Sequence, residues 1–173
     1  MKKYVALVCA LMFGAGIVVW AQEGKPARKA QLTCPAFDSL KKLVGQWTAT
    51  GKDGQLKETI FRLTAGGSVL VETFNPGKPT EMVTMYHMDG PDLILTHYCF
   101  RGNQPQMKTE SAAESKKFSF KSVGGTNMKL TDFHMGQADF TLVDDDHFEV
   151  DWISFTDGKP DGYLNSFKFT RKK

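Results

Sequence analysis

The side chains with the greatest capacity for chemistry lie in two short segments. One, at residues 85–90, contains Tyr86, and the other, at residues 95–99, contains His97 and Cys99. On a β-strand, alternate side chains share a face, so His97 and Cys99 would point the same way. Imidazole and thiolate are metal ligands, but a site needs three or four of them and only two converge here. We therefore predict no metal site; the methionines, which could ligate copper, are expected to fill an irregular core.

Motifs for catalysis are absent from the sequence. It contains no G-x-S-x-G nucleophile elbow, no phosphate-binding loop and no dinucleotide fingerprint. The acidic run Asp144-Asp145-Asp146 lacks the spacing of a calcium-binding EF-hand and is typical of a hairpin turn. We therefore predict that the protein is not an enzyme, with no catalytic residues.

Strand periodicity indicates which polar side chains could meet a ligand. Leu95, His97 and Cys99 share one face of a predicted strand, whereas Tyr86 and His87 alternate, so only one of them can face inward. We predict a ligand-binding set in which aromatic and apolar side chains give contact area and His97 holds the ligand's polar end. The set is Glu72, Met82, Tyr86, His97 and Trp152. The alternative is that His97 and Glu72 form a buried structural pair.

The segments that would position these residues show an alternation of side chains with a period of two, as in β-strands. Ten alternating segments, separated by turn signals such as Asp89-Gly90 and Asn75-Pro76-Gly77, predict strands with antiparallel neighbours. The predicted strands are Gly45–Thr50, Leu56–Leu63, Ser68–Phe74, Glu81–Met88, Asp92–Cys99, Gln106–Ser111, Lys117–Val123, Phe133–Val143, His147–Phe155 and Tyr163–Arg171. A short helix over Pro35–Val44 is predicted to precede them. The predicted fold class is all-β, an antiparallel up-and-down barrel; a β-sandwich is the alternative.

The start of the chain has the pattern of a signal peptide. Lys2 and Lys3 precede an uncharged run that ends at Val19-Trp20-Ala21, where small residues stand at the two positions a signal peptidase reads. We predict a signal peptide at 1–21, a disordered mature N-terminus at 22–35 and the barrel domain at 36–173. The alternative is an uncleaved membrane anchor.

Export would change what the net charge and the cysteines of the chain imply. The whole chain carries a formal net charge of +3, and losing Lys2 and Lys3 brings it closer to zero, so we expect no nucleic-acid partner. We also expect no membrane span after cleavage, and a periplasmic or secreted location. Cys34 and Cys99 would meet an oxidising compartment, where they either form a disulfide or remain two thiols.

Two residues at opposite ends of the strand series complete the pattern. Trp47 follows Gly45-Gln46 at the first strand, and Arg171 ends the last one. In a closed barrel these two can meet, with the guanidinium stacked on the indole. The arrangement resembles the calycin superfamily of lipocalins and fatty-acid-binding proteins.

Three further sequence segments point to a more specific family resemblance. The segments "MYHMDG" at 85–90, "LTHYC" at 95–99 and "GNQPQM" at 102–107 resemble an exported bacterial family of lipocalin-like barrels, the DUF1579-like group. That resemblance implies export and the barrel fold. We predict that the barrel cavity binds a small apolar or amphipathic molecule. No cofactor is expected. The alternatives are a haem-binding barrel or a low-activity enzyme that uses His97, and a filled barrel that serves as a structural or partner-binding module.

Overall fold

The computed structural model describes residues 35–109 and 116–173. Within these ranges, one α-helix, α1 (Pro35–Lys41), precedes ten strands, and a 3-10 turn at Ala65–Gly67 joins the second strand to the third. The strands are β1 (Gly45–Thr50), β2 (Leu56–Thr64), β3 (Val69–Phe74), β4 (Met82–Asp89), β5 (Asp92–Tyr98), β6 (Gln104–Thr109), β7 (Lys117–Thr126), β8 (His134–Asp144), β9 (His147–Thr156) and β10 (Lys159–Arg171).

The strands form one closed barrel in which every neighbour is antiparallel. Each strand pairs with the next along the chain, and β1 pairs with β10 to complete the ring. The predicted all-β up-and-down barrel is thereby confirmed. The sandwich alternative is wrong, because a ring of hydrogen-bonded strands leaves no separate second sheet.

Element bounds differ from the predicted ones by three or more residues at α1, β7 and β10. The helix ends at Lys41 rather than Val44. β7 continues to Thr126, where a loop was predicted, because Gly124 adopts a φ of 136° at a register shift in the β6–β7 pair. β10 begins at Lys159, and a register irregularity between Pro160 and Leu164 accommodates the proline and Gly162 within the strand.

The half of the barrel nearest α1 is packed with aromatic rings. Trp47 lies edge-on to Phe148 with centroids 4.9 Å apart, and Phe148 stacks on Phe169 at 4.8 Å. Phe61 and Phe120, from opposite sides of the ring, are also fully buried. These contacts make one end of the barrel a solid core, which we call the closed end.

Arg171 lies over the closed end. Its guanidinium carbon is 4.0 Å from the centroid of the Trp47 ring, and its nitrogens donate to the carbonyls of Lys42, Val44 and Asp145 at 2.9–3.0 Å. The Trp47 indole donates to the Leu43 carbonyl at 2.7 Å. The structure therefore joins the residues after α1, the first strand and the last strand through one side chain.

The opposite end, which we call the mouth, is formed by five hairpin connections. They join β1 to β2, β3 to β4, β5 to β6, β7 to β8 and β9 to β10. Within the described ranges, no helix has both the length and the apolar character to cross a membrane.

Candidate ligand-binding cavity

A cavity opens inside the mouth half of the barrel. Its volume is about 110 Å³, and it shares part of its lining with a more open depression of about 490 Å³, which is lined by residues near the β1–β2 hairpin and by residues 162–167 of β10. Phe74, Met82 and Phe167 line both spaces. The barrel is therefore filled at one end and hollow at the other.

Three polar residues lie side by side on the cavity wall. In the strand register, Glu72 on β3 is opposite Thr84 on β4, and Thr84 is opposite His97 on β5. All three are buried and line the cavity. Because directly opposed residues on neighbouring strands point to the same face, the register itself brings these side chains together. We call this set the polar row.

Glu72 is held from two sides by hydroxyl groups. The Thr59 hydroxyl donates to Oε1 at 2.9 Å, and the Tyr86 hydroxyl donates to Oε2 at 2.6 Å. Burial raises the pKa of the Glu72 carboxyl, and these two hydrogen bonds oppose the rise. Burial, together with the neighbouring carboxylate, raises the pKa of Tyr86 well above its usual value, so Tyr86 remains a hydrogen-bond donor.

His97 is the only imidazole on the cavity wall among the described residues. Its Nδ1 is 3.0 Å from the Thr84 hydroxyl, and its ring centroid is 4.9 Å from that of Trp152. Burial lowers the pKa of His97 to about 4, so the ring is neutral around pH 7. No described residue hydrogen-bonds Nε2, which leaves that atom available to a molecule in the cavity.

The wall opposite the polar row is largely apolar. Trp152 on β9 is opposite Asn165 on β10, and both line the cavity with Met135 and Phe167. At the rim, Arg101 stacks on Phe133, its guanidinium carbon 4.3 Å from the ring centroid. Such a lining suits an apolar body with a polar end.

The predicted ligand-binding residues fall into two groups. Glu72, Met82, His97 and Trp152 line the cavity. Tyr86 faces inward and is fully buried, but it lies behind Glu72, towards the closed end, and is not part of the lining. It therefore positions Glu72 rather than meeting a ligand.

Sequence reasoning missed several cavity residues. Two were not predicted: Thr84, which lies between Glu72 and His97 in the strand register and hydrogen-bonds His97, and Asn165, which lines the cavity from β10. Thr84 is directly opposite His97, so it could have been predicted to share the same face if the β4–β5 register had been known. Asn165 lies two residues before Phe167 on β10, so alternation within the predicted strand Tyr163–Arg171 places both on the same face.

Side chains that could bind a metal ion do not cluster in the described part of the chain. Within residues 35–109 and 116–173, no group of three or more His, Cys, Asp or Glu side chains is arranged to hold an ion. Cys99 lines the cavity and forms no disulfide with a described residue. Its predicted partner Cys34 lies outside the described residues, so the disulfide stays a prediction. The predicted signal peptide at 1–21 and residues 22–34 of the predicted mature N-terminus lie outside them as well, whereas Pro35 begins α1.

Comparisons with known proteins identify the fold. A protein of unknown function from the DUF3598 family of Nostoc punctiforme matches with a TM-score of 0.52 and 14% sequence identity, over 87% of this chain and 53% of that one. Rv2717c from M. tuberculosis matches with a TM-score of 0.56 and 16% identity, over 82% of this chain and 100% of that one. This chain spans about half the length of the Nostoc protein. No family model and no curated protein matches it. At these identities, the comparisons show a shared barrel fold and nothing finer.

Proposed function

We propose that the protein binds a small apolar or amphipathic molecule in the mouth half of its barrel and holds it without converting it. The observation that carries this proposal is the uneven filling of the barrel, solid with aromatic rings at the closed end and hollow at the mouth. A barrel whose role was purely structural would gain stability from filling both halves. Apolar surface buried in the cavity would supply the affinity.

We also propose that the chain belongs with the exported, lipocalin-like barrels of the DUF1579-like group and acts in the periplasm or outside the cell. Support comes from the three sequence blocks at 85–107 and from the apolar run before Ala21. N-terminal sequencing of the protein purified from its host tests export. A chain that starts at Gln22 supports it, and one that retains Met1 contradicts it.

A fluorescent hydrophobic dye tests binding directly. We expect saturable binding to the folded protein and quenching of tryptophan emission through Trp152, which lines the cavity, whereas Trp47 lies in the closed end. The quenching should persist in Trp47→Phe and disappear in Trp152→Phe. The reverse pattern would contradict binding at the mouth.

A matched pair of substitutions locates the site. Met82→Trp places an indole in the cavity, whereas Val83→Trp adds the same bulk on the neighbouring position of β4, whose side chain points to the other face. We expect Met82→Trp to abolish dye binding and Val83→Trp to retain it. Equal binding by both variants would contradict the proposed site.

The competing functions give different results with the same purified protein. A haem-binding barrel, or an enzyme that uses His97, would rely on the available Nε2, and haem would give a Soret band. Co-purified lipid in native mass spectrometry would favour the carrier. A barrel that binds neither would be a structural or partner-binding module.

A further inference from the structure

The base of the cavity limits which polar group a ligand can place there. Both carboxyl oxygens of Glu72 already accept a hydrogen bond, one from Thr59 and one from Tyr86. Thr84 is engaged with His97 Nδ1. Nε2 of His97 is the polar-row atom that has no hydrogen-bond partner among the described residues.

That nitrogen can act as either partner of a hydrogen bond. If the Thr84 hydroxyl donates to Nδ1, then Nε2 carries the proton and donates into the cavity. If Nδ1 carries the proton and donates to Thr84, then Nε2 accepts. A hydroxyl group both donates and accepts, so it is satisfied by either tautomer of the neutral ring. An ether or ketone, which only accepts, is satisfied by one.

Charged groups are poorly accommodated at the same place. A ligand carboxylate beside Glu72 would put two acids in one desolvated site, so that one of them must keep a proton. Arg101, the one basic side chain on the described cavity wall, is solvent-exposed at the rim and stacks on Phe133. An ammonium group would lose its hydration on entering this site, where the Glu72 carboxylate already accepts hydrogen bonds from Thr59 and Tyr86.

Resting on the proposed function, we propose that the natural ligand is an apolar molecule whose buried end is an uncharged hydroxyl. His97 Nε2 binds that hydroxyl, and Glu72 excludes carboxylates. The same apolar body with a carboxylate or ammonium head binds more weakly, and with no polar head it loses the hydrogen bond.

A series of compounds with one alkyl chain tests this inference. Octanol, octanoate, octylamine and octane are each titrated into the dye-loaded wild-type protein at neutral pH. We expect octanol to displace the dye at a concentration about tenfold or more below that of octanoate, the ratio expected for one unfavourable charge contact. Octylamine and octane should also be weaker than octanol. Octanoate or octylamine equal to octanol would overturn the proposal.

Two variants assign the selectivity to its residues. Glu72→Gln should gain octanoate binding relative to octanol, whereas Glu149→Gln, which removes the same charge from a partly exposed site on β9, should not. His97→Leu should remove the preference for octanol over octane. An unchanged selectivity in folded Glu72→Gln contradicts the role of Glu72. If that variant does not fold, the wild-type ratios alone decide. If the wild-type protein binds neither the dye nor any compound, the proposed function itself fails.

Discussion

His97 combines two properties that are costly to a fold: it is a titratable group and it is buried without a charged partner. Its side chain is 5% exposed, and its hydrogen bond to Thr84 is with a neutral hydroxyl. Protonating the ring in the folded protein would bury an uncompensated charge. Protonation of His97 therefore destabilises the folded protein. The neutral ring lies at the base of the cavity, where it can hydrogen-bond a ligand.

The first prediction concerns this destabilisation. The unfolded chain takes up a proton on His97 near the ordinary histidine pKa of about 6.5, whereas the folded protein does so only near a pKa of about 4. Between these values the unfolded state binds more protons, so stability falls as the pH is lowered through that window. The full effect is about 3 kcal/mol, present above the window and lost below it.

Glu72 contributes with the opposite sign, because its raised folded pKa favours the native state at low pH. Comparison with His97→Gln isolates the histidine. Chemical denaturation from pH 7 down to pH 4 should show a steeper loss of stability in the wild-type protein than in the variant. Parallel curves would contradict a buried neutral His97.

Tyr86 gives the second prediction. Tyr86→Phe keeps the ring contacts with Phe61 and Phe120 but removes the hydrogen bond to Glu72 Oε2. We expect a loss of about 1–3 kcal/mol in the free energy of unfolding, because a buried acceptor loses its donor. The control Tyr98→Phe, at a residue 44% exposed, should change stability little. If Tyr86→Phe leaves the free energy of unfolding unchanged, Glu72 is held in place without this hydrogen bond.

Parity predicted the inward direction of individual residues better than their contacts. The alternation on β5 grouped Leu95, His97 and Cys99, but the sequence could not choose between Tyr86 and His87. The structure buries Tyr86 completely and leaves His87 half-exposed. Contacts such as that of Thr84 with His97 depend on the register between two strands. The register is determined by the turn that joins the strands, so it cannot be read from the sequence of either strand alone.

Among the elements, β1 and β10 are joined by a short ladder. Their register contains the pairs Trp47–Arg171 and Thr48–Thr170. Most neighbouring strands share longer ladders; β1 and β2, for example, pair from Gly45–Phe61 to Thr50–Leu56. The Arg171 side chain therefore supplies a large part of the bonding at the place where the ring closes.

The third prediction tests that contribution. Arg171→Ala removes the stacking on Trp47 and leaves carbonyls of Lys42, Val44 and Asp145 without their donor. We expect a loss of about 1–3 kcal/mol in the free energy of unfolding. The neighbouring Lys172→Ala, whose ion pair with Glu58 is exposed, should have a much smaller effect. Equal melting temperatures for Arg171→Ala and the wild-type protein would contradict the closure role.

The fourth prediction concerns the pairing of β8 with β9. The ring of Phe155 lies across Gly136, so a methyl group at position 136 would overlap the ring, next to a register shift at Met135 and Gln137. Gly136→Ala should cost about 1–3 kcal/mol by overpacking. Adding Phe155→Ala should relieve part of that cost, giving a non-additive double-mutant cycle in urea denaturation. Strictly additive effects would contradict the steric explanation.

Strand positions were largely readable from the sequence, whereas irregular pairings were not. Alternating apolar residues and turn signals such as Asp89-Gly90 give both the strands and their antiparallel order. The bulged stretch of β10 was missed because Pro160 and Gly162 are ordinarily turn residues. The turn at Asp144-Asp145-Asp146 was predicted, but the contact of Asp145 and Asp146 with Arg171 depends on closure of the ring.

At the scale of the whole molecule, the barrel separates stability from binding. Phe61, Phe148 and Phe169 pack at the closed end, where packing is continuous. The mouth half has a cavity whose lining includes residues on hairpin connections, such as Phe100 and Phe133. Substitutions at the mouth can therefore alter what is bound at modest cost to the fold.

The contact between Trp47 and Arg171 also constrains how the protein is made. These residues are neighbours in the ring, yet Arg171 is the third residue from the end of the chain. On a ribosome, β1 is synthesised first and its partner β10 is the last strand of the barrel to emerge, so the ring cannot close until β10 has been made. Until then, one edge of β1 has unpaired backbone groups that could pair with another chain. A nascent chain stalled before Arg171 should thus be an open, protease-sensitive sheet, and a chain in which β10 is complete and exposed should form a resistant barrel.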